Sequence, residues 1–149
     1  MFNEARLKCR TTPDIIPVLW AKAAYNAALN PLSAIHGLSY GELLKNEETK
    51  SSMRRVVEEL YAVAKAEGVK MDPPTSDGYV DVLFNQLIPI TAEHKSSMIR
   101  AVETGQRTEL DVLNGAIIRL GQTHGIQTPE NQRLVDGISM RSKQVVEIL

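Results

Sequence analysis

One cysteine, Cys9, is all the chain carries, which rules out an internal disulfide and makes a reducing compartment, the cytoplasm, its simplest home. Charge of neither sign dominates. Seventeen Lys and Arg stand against eighteen Asp and Glu, a net of -1, so nothing in the overall electrostatics asks for nucleic acid or an anionic membrane. No apolar run approaches the length of a membrane span. The start, Met1 to Arg6, has an early acid in Glu4 and no apolar core of signal-peptide length. There is no G-x-G-x-x-G, no Walker-type loop and no G-x-S-x-G. His36, His94 and His124 share no i, i+3 or i+4 spacing, and Cys9 adds no partner, so no metal site is expected. The segment from Thr108 to Asn131 has the outline of a helix-turn-helix but lacks the basic surface that phosphate contact needs.

What remains is 43% hydrophobic, 23% charged and 5% aromatic, the composition of a soluble globular domain, and 149 residues suffice for one core. The most informative stretch runs from Trp20 to Pro31. Alanine dominates it and no β-branched residue interrupts it, so it reads as helix. Lys22, Asn26 and Asn30 recur every four residues and share one narrow face, with alanines around them that allow close approach. Such a row offers several hydrogen-bond donors and two carbonyl acceptors. In a cleft, desolvation would make the lysine a useful acid near neutral pH. On an open surface the same row is a polar stripe with Lys22 snorkelling into water.

The rest of the chain reads as helices separated by short breaks. Residues 1–12 form a lead-in of mixed charge. Pro13 and Pro17 open the central helix, which is expected to end near Leu29 because Asn30-Pro31 disfavours helical backbone. A short helix over 32–36 should stop at Gly37, and Gly41-Glu42-Leu43 should begin another turn. From Glu48 to Glu67 an apolar stripe of Met53, Val56, Val57, Leu60, Tyr61 and Ala64 predicts a long helix stopped by Gly68. Asp72-Pro73-Pro74 is loop, and Ser76 or Asp77 should cap a helix carrying Val80, Leu83, Phe84 and Leu87 inward, broken by Ile88-Pro89-Ile90. A short helix should follow Ser96-Ser97 and stop at Gly105. A long one should run from Thr108 to Gly125, burying Leu110, Leu113, Ile117 and Leu120. The last should open at Thr128-Pro129-Glu130, with Leu134, Val135, Ile138, Val145 and Leu149 as its stripe. No strand is predicted, and the expected class is all-α.

Ser96 and Ser97 at a helix start are natural caps, though exposed N–H groups there also suit a carboxylate ligand. Glu109 in a first helical turn is favourable without any further role, and would otherwise face a substrate hydroxyl or Lys22.

Together these pieces form a pattern. Trp20-x-Lys22-x3-Asn26-x3-Asn30-Pro31-Leu32-x-Ala34-Ile35, followed by Gly41-Glu42-Leu43, resembles the second half of the ketopantoate reductase family. So do Ser96-Ser97-Met98, Thr108-Glu109-Leu110-Asp111-x2-Asn114-Gly115 and Gly125-Ile126-x-Thr128-Pro129-Glu130-Asn131, in that order along nearly the whole chain. The resemblance implies an all-α, bundle-like domain similar to the C-terminal domain of 6-phosphogluconate dehydrogenase. It would be the substrate and catalytic half (13–149) of an enzyme reducing 2-dehydropantoate to pantoate with NADPH. Residues 1–12 would lead in from a dinucleotide-binding domain that carries most of the NADP(H) site. It also implies roles: Lys22 as general acid, Asn26, Asn30 and Ser97 as substrate contacts, and Glu109 as the carboxylate hydrogen-bonded to substrate. Two positions depart from the family pattern, Tyr40 before the Gly-Glu-Leu turn and His94 three residues before Ser97, where asparagine is usual. Both lie on the substrate side and leave open a related reductase acting on another 2-oxo acid. An orphan helical module for dimerisation or ligand binding is the non-enzymatic alternative. A homodimer is expected, since apolar helix faces would need cover.

Overall fold

Alanine builds the helix on which the others pack. In a computed structural model that describes residues 14–148, with side chains to residue 142, α1 spans Ile16–His36. Pro17 sits in its first turn, and the Asp14 carboxylate accepts from the Ile16 N–H at 3.0 Å. Gly37, at φ 70°, closes it by donating to the Ser33 carbonyl. Ala24, Ala27, Ala28 and Leu29 are wholly buried, and their small size lets neighbouring helices lie close. The lead-in expected over 1–12 and the stripe residues Val145 and Leu149 fall outside the described side chains.

The expected break at Asn30-Pro31 does not occur: α1 runs through Pro31 for another turn and a half, absorbing the predicted short helix. The reason is tertiary. Proline has no N–H for the carbonyl four residues back, which here is that of Ala27. Asn114, 87 residues away and fully buried, supplies the missing donor through Nδ2 at 3.1 Å. The same amide nitrogen also donates to Asn131 Oδ1 at 2.9 Å.

After α1, Tyr40–Leu44 forms α2, whose N-cap Ser39 and third residue Glu42 make a reciprocal capping box. Helix α3, Glu47–Ala66, buries Met53, Val56, Val57, Leu60, Tyr61 and Ala64 as the stripe predicts. The next helix, α4 (Ser76–Val82), is capped by Thr75 rather than by Ser76 or Asp77: its Oγ1 accepts from Gly78 N at 3.2 Å. Nor does Ile88-Pro89-Ile90 break the chain there. The backbone widens into a π-turn over Leu83–Leu87 and continues as α5, Ile88–Ile90, before ending at Thr91. Val80 and Leu83 are buried, while Phe84 and Leu87 are half-buried at the edge of the core.

The short helix α6 covers Met98–Glu103. The long helix expected from Thr108 is two pieces, a 3-10 turn at Glu109–Asp111 and α7, Asn114–Thr123. Leu113 leaves helical geometry between them, at φ -97° and ψ -93°. This break buries Asn114 and Gly115 and leaves Leu113 half-buried, so a polar residue is taken inward where the apolar period favoured a leucine. Helix α8, Pro129–Ile148, begins at the predicted proline, but Thr128 does not cap it with its side chain. Glu59 of α3 does so instead, accepting from the N–H groups of Glu130 (2.7 Å) and Asn131 (3.0 Å).

Among the described residues there is no strand, and no helix is long and apolar enough to cross a membrane. One apolar cluster joins α1, α3, α4 and α7; a second, of Ala34, Met98, Val102, Leu110 and Ile138, ties α6 and α8 to the last turn of α1.

Candidate active site

The second half of α1 forms one wall of a cleft. A cavity of about 300 Å³ is lined by Tyr25, Asn26, Asn30, Tyr40, Thr91, His94, Ser96, Ser97 and Glu109. Next to it a cavity of about 400 Å³ is lined by Asn30, Ser97, Met98, Arg100, Ala101, Gln106, Arg107, Thr108 and Glu109. Asn30, Ser97 and Glu109 belong to both, so the two are halves of one polar cleft with these three side chains at the divide.

Of the residues singled out by sequence, Asn26, Asn30, Ser97 and Glu109 therefore come together although they span more than eighty positions. Lys22 does not line either cavity. It is exposed one turn before Asn26, a rise of about 6 Å along the same helix face. Among the described residues Lys22, Asn26, Ser97 and Glu109 make no side-chain hydrogen bond or ion pair, and the only such bond at Asn30 is the one its Oδ1 accepts from Tyr40 at 2.7 Å. Polar groups held at a cleft without partners are free to engage a ligand.

The walls around them are fixed. Ser33 is fully buried under the cleft; its hydroxyl donates to the Leu38 carbonyl (2.7 Å) and accepts from Ser96 N (3.1 Å). Ser96 in turn accepts from Met98 N at 3.1 Å, so it serves α6 as a cap, whereas the Ser97 hydroxyl does not. Gly41 lets α2 lie against the loop after α5: its N–H donates to the Ala92 carbonyl at 2.9 Å, and a Cβ there would stand 2.9 Å from the Ala92 Cβ. Beside it the Tyr40 N–H donates to the His94 carbonyl at 3.0 Å. The Tyr40 ring lies edge-on to Tyr25 at 5.9 Å and tilted against His94 at 5.1 Å. The two departures from the family pattern are thus in mutual contact. Burial, reinforced by Tyr25 and opposed by Ser96, pushes the Tyr40 phenol up to about 12.

Tyr25 and Thr91, bonded through their hydroxyls at 2.8 Å, are cleft residues that the sequence did not announce, as are Arg100 and Arg107. Thr91 carried no signal because its position depends on the helix continuing past Pro89. Conversely, motif residues Asn114, Glu130 and Asn131 lie away from the cleft and hold helices together. Glu130 is bonded to Ser52, Arg55 and Arg133. Burial pushes its carboxyl up, but hydrogen bonds from Arg133, Ser52 and Arg55 outweigh this and hold it down at about 2.

Among the described residues, helices without a strand and a polar cleft along an alanine-rich helix define the class, an all-α domain. Residues 14–142 match the model of the family described as ketopantoate reductase PanE/ApbA C terminal, and the chain belongs to that family. It is 40% identical to 2-dehydropantoate 2-reductase of Aquifex aeolicus over 131 residues, 88% of this chain and 42% of that protein. The Vibrio cholerae 2-dehydropantoate 2-reductase is 36% identical over 93% of this chain and 45% of its own length. Among solved structures, the fold is similar to a PanE/ApbA family ketopantoate reductase from Ralstonia eutropha, at TM-score 0.82 and 35% identity, covering 97% of this chain and 47% of that one. It is also similar to D-mandelate dehydrogenase in a ternary structure with NADH and anilino(oxo)acetate, at TM-score 0.84 and 25% identity, covering 96% of this chain and 46% of that one. The chain spans less than half the length of these relatives.

Proposed function

We propose that this chain is the substrate-binding and catalytic half of an NADPH-dependent 2-dehydropantoate 2-reductase, with residues 13–149 as that half and 1–12 leading in from a nucleotide-binding domain. The observation that carries the reading is the convergence of Asn26, Asn30, Ser97 and Glu109, free of side-chain partners apart from the Asn30–Tyr40 bond, on one cleft beside Lys22. A reduced nicotinamide nucleotide supplies hydride to the keto carbon when bound. Most of the site for that nucleotide is assigned in this reading to the nucleotide-binding domain.

This chain's part is the oxygen side of the reaction. As the carbonyl becomes an alkoxide, negative charge grows on its oxygen, and the Lys22 ammonium donates a proton to it and becomes a neutral amine. Glu109 accepts a hydrogen bond from a substrate hydroxyl, while Asn26, Asn30 and Ser97 orient the acid by donating to its oxygens. In the same reading the protein is cytoplasmic and forms a homodimer, for which the exposed Ile15, Ile16, Val18, Leu19 and Val112 offer apolar surface.

Titrating the chain with NADPH, with and without ketopantoate, and then adding the nucleotide-binding domain to look for turnover, tests the division of labour. The expected result is turnover only with both parts. Lys22→Ala should then lower kcat by about a hundred-fold or more while the helical circular dichroism persists. Full activity in Lys22→Ala would sink the assignment, and no turnover with any 2-oxo acid would favour the orphan binding module.

A further inference from the structure

We propose that Tyr40 is a positioning residue of this cleft: it engages the carbonyl end of the Asn30 amide, so that Asn30 presents its NH2 group to the ligand and selects an acceptor oxygen. The inference rests on the substrate-side reading above and adds to it the polarity of one contact.

Four observations carry it. The Tyr40 hydroxyl donates to Asn30 Oδ1 at 2.7 Å. Tyr40 is only 2% exposed, wedged between Tyr25 and His94, and its own N–H is tied to the His94 carbonyl, so the phenol cannot swing aside. Asn30 Nδ2 has no hydrogen-bond partner among the described residues, and Asn30 faces both halves of the cleft while Tyr40 faces only one. Finally, burial keeps the phenol protonated across the whole working range, so it acts as donor and not as phenolate acceptor.

An amide that rotates freely can offer either end to a ligand, and a fixed one discriminates. With its carbonyl turned to Tyr40, Asn30 presents its NH2 to a carboxylate or keto oxygen and rewards an acceptor over a ligand donor. The Ser97 hydroxyl, a second donor, and the Glu109 carboxylate, an acceptor, line both cavities with it. The cleft therefore offers donors for the acid's oxygens and an acceptor for a hydroxyl hydrogen.

The test is Tyr40→Phe, which removes one hydroxyl from a buried ring, in wild-type and Asn30→Ala backgrounds, assayed with the nucleotide-binding domain present. In parallel, the Asn30 side-chain NH2 resonance is followed by 15N NMR in the chain without ligand. The expected result is that Tyr40→Phe moves the amide signal and costs about tenfold in kcat/KM, mostly through KM. In Asn30→Ala the same substitution should have no further effect on KM, because Tyr40 acts through that amide. A purely structural role would give equal losses in the two backgrounds, which overturns the proposal. An unmoved amide signal overturns it too, leaving the substrate-side reading intact. A moved signal with unchanged KM overturns it together with the placement of substrate at Asn30.

Discussion

Substituting Asn114 by alanine should test how α1 survives its internal proline. Asn114 Nδ2 spends its two hydrogens on the Ala27 carbonyl and on Asn131 Oδ1, both buried. Removing the amide leaves each of these acceptors short of a partner, at about 1–3 kcal/mol apiece. It also removes Asn114 Oδ1, a buried oxygen with no partner, which gives part of that back. A net loss of about 1–4 kcal/mol follows. The diagnostic quantity is the coupling with Pro31. In Pro31→Ala the backbone regains an N–H four residues after Ala27, so the carbonyl is served within α1 and needs Asn114 less. The Asn131 part of the loss is the same in both backgrounds and cancels. Asn114→Ala should therefore cost about 1–2 kcal/mol less in Pro31→Ala than in the wild type. Urea unfolding of the four proteins, followed by circular dichroism, measures this cycle. Equal costs to within about 0.5 kcal/mol would refute the explanation, because that is the range of simple additivity.

The Glu130 cluster makes a pH prediction. A carboxyl at about 2 in the folded chain against about 4.5 unfolded contributes up to roughly 3 kcal/mol above pH 4.5, lost progressively as pH falls towards 2. Glu130→Gln should flatten the acid limb of a stability–pH curve over that window, and an unchanged limb would contradict the assignment. Gly41→Ala should lower stability by about 1–3 kcal/mol and weaken substrate binding, since the added methyl meets Ala92 at 2.9 Å and pushes on the loop carrying His94. A thermal melt and a KM determination check the two effects, and a variant with wild-type values for both would show that the loop yields freely.

Local signals in the sequence sufficed where one element satisfies itself. The α3 stripe, the glycine stops at Gly37 and Gly125 and the proline start of α8 depend on neighbours within a turn or two, and they were legible. The run of α1 through Pro31 and the cap of α8 were misread because the backbone groups concerned are served from afar, by Asn114 and Glu59. The site divides in the same way. Four-residue spacing on one helix placed Lys22, Asn26 and Asn30 on a common face. Only family pattern linked them to Ser97 and Glu109, since no local rule reports which loop closes over a helix. Tyr25 and Thr91 were invisible for that reason.

The Ala27–Asn114 bond also sets an order of events. Within this domain α1 is made before α7 and α8, yet the donor that completes α1 lies 87 residues later and becomes buried only when those helices dock. Until then the segment bearing Asn26 and Asn30 has a proline gap with water as its only remedy. The α1 wall of the cleft is thus made early and among the last parts to acquire its shape, so a chain truncated before Asn114 would contain every proposed catalytic residue and lack the donor that completes that wall.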